Sequence, residues 1–108
     1  MVAAAVALSA AATVAVAPNA AATDRSAVWE RLAACESSGN WDANTGNGYY
    51  GGLQFNRSTW SAYGGGEFSY YPHHASRGEQ IAIAERLRAA RGDYGAWPAC
   101  ARKLGLPR

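Results

Sequence analysis

Residues 29–41 read WERLAACESSGNW, and this stretch decides the fold. On a helical wheel at about 100° per residue, Val28, Leu32 and Trp29 fall within one arc, as expected for a helix that buries one side. The apolar arc predicts an amphipathic first helix over about residues 26–38. The rest of the fold is expected to pack against the buried side of this helix.

Glu36 is the acidic residue that interrupts the apolar arc. It falls at about 80°, between Leu32 at about 40° and Trp29 at about 100°, whereas Glu30 and Arg31 fall outside the arc. Apolar neighbours disfavour a charged carboxylate, so the pKa of Glu36 should rise, and a carboxyl that keeps its proton near neutral pH can act as a general acid. The alternative is that Glu36 reaches past the helix end and is solvated, or caps local backbone amides.

Helix caps and breakers predict three further helices and one turn region. Residues 40–52 are rich in glycine and asparagine, which predicts turns with a short hairpin. The fold class that follows is α+β, mainly α, with about four helices. The boundary signals are Asp24 or Ser26 and then Gly39 for the first helix, Asn56 or Ser58 and then Gly64 for the second, the capping box of Ser76 and Glu79 and then Gly92 for the third, and Pro98 and Gly105 for the fourth.

The composition limits the class of protein. A length of 108 residues allows one domain. Ten basic and eight acidic side chains leave a net charge of +2, which is too weak to indicate nucleic-acid binding. The balance of residues also excludes a charged disordered tail, a collagen-like repeat and a polytopic membrane protein.

The first 22 residues form a chemically separate segment without a charged side chain. An Ala/Val/Leu run from Val2 to Ala17 ends at Pro18 and Asn19, and three alanines follow, which is typical of a secretory signal peptide. We expect cleavage after Ala22, a mature domain over residues 23–108, and a protein that is secreted or held at the cell wall. A membrane anchor is the weaker alternative, because alanine is barely lipophilic and the run is short. No Lys or Arg precedes the run, so either the free amino terminus supplies the positive charge or the true start lies upstream of Met1, and we favour the second.

Both cysteines, Cys35 and Cys100, lie in the predicted mature domain. In a small exported domain, two cysteines are most simply explained by a disulfide. A catalytic thiol is the weaker interpretation, because an exported thiol usually oxidises. A disulfide would stabilise a domain that has few large aliphatic residues for its core.

Three ordered motifs cover most of the predicted mature domain. They are WxxLAxCESxGNW from Trp29, NTGNGYYGGLQF from Asn44 with Thr-Trp from Thr59, and EQIAxAE from Glu79 with GAWPxC from Gly95. Together they resemble the resuscitation-promoting factor domain of actinobacteria, over about residues 27–101. More distantly, the Glu-Ser pair at Glu36 and the Gly-Leu-Gln that ends at Gln54 are similar to motifs of soluble lytic transglycosylases.

This resemblance implies a small lysozyme-like fold and a muralytic activity. The bond expected to be cleaved is the β-1,4 bond between N-acetylmuramic acid and N-acetylglucosamine in peptidoglycan. The family's catalytic glutamate matches Glu36, and its disulfide pair matches Cys35 and Cys100. Its cleft-lining glutamine and threonine match Gln54 and Thr59. The family name further implies a role in cell-wall remodelling and revival from dormancy.

A second carboxylate is missing where some family members have an acid, because Asn56 stands two residues after Gln54. Two-carboxylate glycosidases need such a partner. Our hypothesis is one-acid chemistry, in which Glu36 is acid and then base while the muramic N-acetyl group stabilises C1. The product then ends as a 1,6-anhydro sugar or as a reducing sugar. The remaining candidates for a partner acid are Asp42, Glu67, Glu79, Glu85 and Asp93.

Aromatic side chains are candidates for sugar contact, because sugar rings pack on flat amphipathic surfaces. The alternative is that they replace missing aliphatic residues in a small core. Trp29 and Trp97 are assigned to the core. The expected substrate-binding residues are Gln54, Thr59, Trp60, Tyr49, Tyr50 and Asn56, with Tyr70 and Tyr71 as a further rim.

No metal or other cofactor is expected. The turn region begins like a calcium loop, but Asn47 stands where glycine is required and Leu53 stands where glutamate is required. His73 and His74 are adjacent without further ligands nearby in sequence, so they are expected to be exposed loop residues.

The expected binding partner is the glycan strand of peptidoglycan. A peptidoglycan endopeptidase is a candidate protein partner, no nucleic acid is expected, and the chain is expected to be a monomer. The competing class is a non-catalytic peptidoglycan-binding or signalling module. Such a module would account for the aromatics and the export, but not for an acid on the buried side of the first helix at Glu36.

Overall fold

The computed structural model describes residues 20–108, with side chains from Ser26 onward. Residues 1–19 lie outside this range, so the predicted signal peptide over residues 1–22 remains a prediction. Within the described range, no helix combines the length and the apolar composition needed to cross a membrane. The four helices are α1 (Ala20–Ser37), α2 (Arg57–Ala62), α3 (Arg77–Arg91) and α4 (Pro98–Leu104), with 3₁₀ turns at Gly65–Glu67 and Pro72–His74.

Helix α1 begins earlier than its caps predict. It already includes Ala20, so Asp24 and Ser26 lie inside the helix, and the prediction that one of them caps its start is wrong. Three consecutive alanines precede them, and alanine has the highest helix propensity, so the helix extends upstream. The predicted end is confirmed, because Gly39 has a φ of 79° and donates its N–H to the carbonyl of Ala33 at 3.0 Å.

The caps predicted for the other helices are confirmed. The Asn56 side chain accepts from the backbone N–H of Thr59 at 2.8 Å and opens α2. Ser76 and Glu79 exchange the two hydrogen bonds of a capping box at the start of α3. Gly92, with a φ of 83°, ends α3. Each of these caps depends on residues only a few positions apart, so the sequence is enough to predict it.

The turn region carries less regular structure than the predicted hairpin. In the described part of the chain no strand forms, and two isolated antiparallel bridges join Asn44 to Tyr50 and Tyr50 to Phe55. Tyr50 and Phe55 exchange backbone hydrogen bonds of 2.9 and 3.0 Å. The mainly helical, small lysozyme-like fold with one disulfide is confirmed, with these bridges in place of extended strands.

Aromatic rings and alanines fill much of the core. The rings of Trp29 and Trp97 meet edge to face with centroids 5.1 Å apart, and Phe55 packs on Trp60 in the same way at 5.4 Å. Trp29 and Trp97 are therefore core residues, as expected. The other buried hydrophobic residues of this cluster are Leu32, Ala33, Leu53, Ala75, Ile83, Ala84, Leu87 and Cys100.

Two long-range connections hold α4 and the turn region against the other helices of the domain. The predicted disulfide between Cys35 and Cys100 is present and joins the end of α1 to α4. The buried side chain of Gln80 accepts from the N–H of Gly52 at 2.9 Å and donates to the carbonyls of Trp41 and Ala75, each at 3.0 Å. The amide of Gln80 therefore binds the turn region to α3, which positions the residues that follow Gly52.

Candidate active site

Glu36 lies in the last turn of α1, next to the disulfide, and its side chain is half-buried. Burial raises the pKa of the Glu36 carboxyl above its usual range, because water is removed from the charged form. No described residue donates a hydrogen bond to this carboxylate or forms an ion pair with it. Glu36 therefore does not cap nearby backbone amides. The carboxyl faces a cavity of about 320 Å³ whose other walls include Tyr49, Gln54 and Trp97.

A second cavity of about 340 Å³ continues from the first. Both cavities are lined by Tyr49, Gln54, Ala96 and Trp97, so together they form one depression, which we call the cleft. The cleft extends from Glu36 past Gln54 to the start of α2. Its further lining residues are Pro98 and Ala99 at the Glu36 end, and Phe55, Asn56, Thr59, Tyr63, Leu87 and Arg91 at the other end.

Gln54 adopts a backbone conformation that is uncommon for a residue with a side chain. Its φ is 54°, in the left-handed region, and its side-chain NH₂ donates to the carbonyl of Gly51 at 3.0 Å. Such conformations cost free energy and cluster at functional sites. The turn held by Gln80 therefore sets Gln54 at the junction of the two cavities, together with Tyr49, whose side chain is 46% exposed.

Trp97 has a second role beyond the core position that the sequence analysis assigned to it. Its indole N–H donates to the carbonyl of Leu53 at 3.0 Å, so the ring is fixed beside the turn that carries Gln54. Although it is a core residue, its ring forms part of the wall of both cavities. The position of Trp97 in the Gly-Ala-Trp-Pro segment before α4 is the one sequence signal for this role.

Four predicted substrate-binding residues are brought together in the cleft, and two are not. Gln54, Thr59, Tyr49 and Asn56 line it.

Trp60 is fully buried, and its indole N–H donates to the carbonyl of Ser69 at 2.8 Å, so its predicted place at the cleft is wrong. It faces the core because α2 turns it towards Phe55.

Tyr50 is not among the residues that line the cleft, although it follows Tyr49 in sequence. It lines a different groove, beside Arg57. The Tyr50 ring stacks on His73 with centroids 5.2 Å apart.

The comparison with known families decides the relationship of this chain. The family described as "Transglycosylase-like domain" matches residues 10–100. The chain belongs to the transglycosylase-like family.

Several curated relatives of this transglycosylase-like domain carry the name that the motifs predict. Resuscitation-promoting factor Rpf1 of Corynebacterium glutamicum is 59% identical over 101 residues, which is 94% of this chain and 51% of that protein. Resuscitation-promoting factor Rpf of Micrococcus luteus is 59% identical over 78 residues, covering 72% of this chain and 33% of that protein. Resuscitation-promoting factor RpfA of Mycobacterium tuberculosis is 59% identical over 76 residues, 70% of this chain and 18% of that protein.

The resemblance to the resuscitation-promoting factors is therefore confirmed. The chain spans about half the length of Rpf1 and smaller shares of the other two relatives.

Glu36 is the only carboxylate that lines the cleft of this transglycosylase-like domain, as far as the chain is described. The other candidate acids have different surroundings. Asp42 is exposed, Glu67 pairs with Arg86 at 2.9 Å, Glu79 forms the capping box, Glu85 accepts from the indole of Trp29 at 2.6 Å, and Asp93 pairs with Arg91 at 3.7 Å.

The described residues contain no group of three or more side chains that could hold a metal ion. The residues that line the cleft can offer one carboxyl group for proton transfer, several amide and hydroxyl groups, and aromatic walls to a long polar ligand.

Proposed function

We propose that this transglycosylase-like domain is a secreted peptidoglycan glycosidase. It cleaves the β-1,4 bond between N-acetylmuramic acid and N-acetylglucosamine, and Glu36 is its general acid and base. The observation that carries the proposal is the half-buried Glu36 carboxyl, the one acid of the described cleft, whose pKa is raised by burial. A carboxyl of this kind stays protonated where an exposed glutamate has lost its proton.

In the first step, Glu36 donates its proton to the glycosidic oxygen. The bond between C1 of the muramic residue and that oxygen breaks, and the N-acetylglucosamine side leaves as an alcohol. The carbonyl oxygen of the muramic N-acetyl group bonds to C1 and takes the positive charge, which replaces the nucleophilic carboxylate of two-acid glycosidases. This substrate-assisted route fits a cleft in which no second described carboxylate lies near Glu36.

In the second step, the Glu36 carboxylate acts as a base. It removes a proton either from the 6-hydroxyl of the same muramic residue or from water, and the resulting oxygen bonds to C1 while the N-acetyl oxygen leaves. The first route consumes no water and ends in a 1,6-anhydro sugar, and the second ends in a reducing sugar. Both routes return Glu36 to its protonated state.

The remaining cleft residues position the glycan strand. Gln54 and Thr59 offer hydrogen-bonding groups, and the exposed ring of Tyr49 offers a stacking surface for a sugar. The side-chain oxygen of Asn56 is engaged as the cap of α2, so its NH₂ group is the one available to substrate. The family membership and the names of the relatives support a role in cell-wall remodelling and in revival from dormancy. A peptidoglycan endopeptidase as partner and a monomeric state belong to this proposal as well.

The test is mass spectrometry of the soluble products released from peptidoglycan sacculi by the full chain with its disulfide formed. The Glu36→Gln variant keeps the shape of the side chain but cannot donate the proton, so we expect it to release no muropeptides, a loss of at least about 100-fold. Glu30→Gln is the matched control, because Glu30 is an exposed acid of the same helix that pairs with Arg77. We expect this control to keep the parent activity.

The chemical ends of the released fragments distinguish the two routes of the second step. Anhydro ends indicate attack by the 6-hydroxyl, and reducing ends indicate attack by water. Full activity in Glu36→Gln would contradict the assignment. Binding to sacculi without products from any variant would favour the alternative, a non-catalytic peptidoglycan-binding or signalling module.

A further inference from the structure

A second groove lies on the other side of α2 from the cleft. It has a volume of about 620 Å³, and its walls include Tyr50, Arg57, Ser58, Ser61, Tyr70 and Tyr71. We call it the Tyr–Arg groove. An α-helix turns by about 100° per residue. With Asn56 at 0°, the positions that line the cleft (Asn56, Thr59 and Tyr63) therefore fall between about −60° and 0°, and those that line this groove (Arg57, Ser58, Ser61 and Ala62) fall between about 100° and 240°. No acidic residue in the described part of the chain lines it.

Arg57 is held in this groove by aromatic stacking. The central carbon of its guanidinium lies 3.6 Å from the centroid of the Tyr70 ring, and the Tyr71 ring lies 5.9 Å away. In contrast to Arg77, Arg86 and Arg91, which pair with acids, no described residue accepts a hydrogen bond from Arg57. Its planar set of N–H donors is thus preorganised and unoccupied.

The walls around Arg57 form a connected aromatic surface with polar groups beside it. Tyr70 is 65% exposed, so its ring is open to a ligand. The centroids of the Tyr70 and Tyr71 rings lie 4.9 Å apart, and those of the Tyr71 and Tyr50 rings lie 5.2 Å apart. The hydroxyls of Ser58 and Ser61 have no described hydrogen-bond partner. The groove therefore combines a fixed cation, hydroxyl groups and an apolar surface.

We propose that the Tyr–Arg groove binds the carboxylate-bearing stem peptide of peptidoglycan while the glycan strand occupies the cleft. This proposal rests on the proposed glycosidase function, since it assigns a second contact to the same polymer. A guanidinium fork pairs with a carboxylate through two parallel hydrogen bonds, which gives both affinity and orientation. The tyrosine rings supply a surface for the aliphatic parts of the peptide.

The distances allow one polymer to reach both sites. Helix α2, including its side chains, is about 10 Å wide, so the arc of about 100° from the cleft side at Asn56 to Arg57 is about 9 Å long. A stem peptide of about four residues in extended form spans roughly 13 Å. A peptide that leaves a muramic residue in the cleft can therefore pass round α2 and place a carboxylate at Arg57. The groove would then favour glycan strands whose peptides are intact over strands that have lost them.

The test is an NMR titration of the isotope-labelled full chain, with its disulfide formed, by a synthetic stem tetrapeptide that has free carboxylates. The same peptide with every carboxylate amidated is the ligand control. We expect saturable shifts at Tyr70, Tyr71 and the Arg57 side chain at concentrations up to about 10 mM. The amidated peptide and the Arg57→Gln variant should each bind at least about tenfold more weakly, because a charge-assisted hydrogen bond is lost.

Arg102→Gln is the matched control, because Arg102 is an exposed arginine of α4 outside the groove. It removes the same charge and should leave the titration unchanged. Arg57→Lys keeps the charge but not the fork, so it should bind more weakly than the parent and more strongly than Arg57→Gln. The near-ultraviolet circular dichroism of each variant checks that it is folded.

Three results would overturn the proposal: equal binding of the acid and amidated peptides, a loss in Arg102→Gln as large as in Arg57→Gln, or no saturable shift in the groove. This readout does not depend on turnover. If the peptide binds in the groove while sacculi release no fragments, the groove assignment stands and the glycosidase proposal is wrong. If sacculi are cleaved but the peptide does not bind, the glycosidase proposal stands and the groove assignment is wrong.

Discussion

At the residue scale, the proposed chemistry of this domain depends on how Glu36 is placed relative to water. Its backbone belongs to the last turn of α1, and its carboxyl is half-buried at one end of the cleft. Burial removes hydration from the charged form and raises the pKa of Glu36. The carbonyl end of the helix dipole acts in the same direction, because it repels negative charge.

The raised pKa of Glu36 predicts a pH-dependent difference in stability between the parent and Glu36→Gln. The folded state holds the Glu36 proton more tightly than the unfolded state does. Its stabilising contribution is therefore complete below the usual glutamate pKa and is lost as the pH rises through the raised pKa. The free energy of unfolding of Glu36→Gln, minus that of the parent, should rise across this window and then level off. Urea unfolding at a series of pH values measures it.

A flat difference across that pH range would show that Glu36 is solvated in the folded domain, which would contradict its proposed role as a general acid. Glu30→Gln again serves as the control, because its carboxylate is exposed on the same helix.

Gln80 is the residue on which the position of the turn region depends most. Gln80→Leu leaves the N–H of Gly52 and the carbonyls of Trp41 and Ala75 without their partner. We expect the free energy of unfolding to fall by about 2–4 kcal/mol, because buried polar groups lose their hydrogen bonds. Gln54→Leu is the matched control, since it loses one side-chain hydrogen bond at a partly exposed site, and its cost should stay below about 1.5 kcal/mol. Urea denaturation compares the two variants, and equal losses would contradict the role of Gln80.

At the scale of elements, local signals determine where the helices begin and end. The caps of α2 and α3 form as their sequences predict, because a cap needs only a side chain and a backbone N–H two or three residues away. The start of α1 differs, because a run of alanines favours helix strongly enough to override the capping residues that follow it.

Replacement by alanine should have opposite effects on the free energy of unfolding at two glycines. A β-carbon at Gly52 would lie 2.3 Å from the ring of Trp41, so Gly52→Ala must shift the turn and should cost about 1–3 kcal/mol. A β-carbon at Gly78, in the first turn of α3, meets nothing within 4 Å. Gly78→Ala should therefore stabilise the domain by about 0.4–1 kcal/mol, because the unfolded chain loses freedom.

Thermal and urea unfolding of the two glycine variants give the comparison directly. Destabilisation by both alanines to the same extent would show that the close approach of Trp41 to Gly52 has no energetic consequence.

At the scale of the whole molecule, the disulfide connects the catalytic candidate to the far end of the chain. Cys35 precedes Glu36, and Cys100 lies in α4, whose first residues Pro98 and Ala99 line the cleft beside Glu36. Helices α1 and α4 also pack on each other. The disulfide therefore stabilises the wall of the cleft as well as the fold.

Loss of the disulfide should cost much of the stability of the domain. The bond joins residues separated by 65 positions, for which the chain-entropy model gives about 4 kcal/mol. We expect the double variant Cys35→Ser, Cys100→Ser to show this loss in urea unfolding, and its release of fragments from sacculi to fall with it. A reductant should lower the stability of the parent and leave the double variant unchanged. Equal stability of oxidised and reduced parent would contradict this prediction.

The sequence by itself determined the elements and the candidate acid of this domain. The four helices, the caps of α2 and α3, the disulfide and the family follow from short-range patterns and long ordered motifs. The position of Glu36 on the apolar side of α1 follows from helical periodicity, because that periodicity is a property of a single element. These features need no knowledge of what packs against the helix.

Only the tertiary structure decided which aromatic and polar residues share the cleft with Glu36. Trp60 is buried and Tyr50 lies outside the cleft, whereas Trp97 is both a core residue and a wall of it. A flat aromatic ring is suited equally to a core and to a sugar surface, so residue type cannot separate the two. Which role each ring takes depends on contacts between α2, the turn region and α4 that are far apart in sequence, and packing alone determines those contacts.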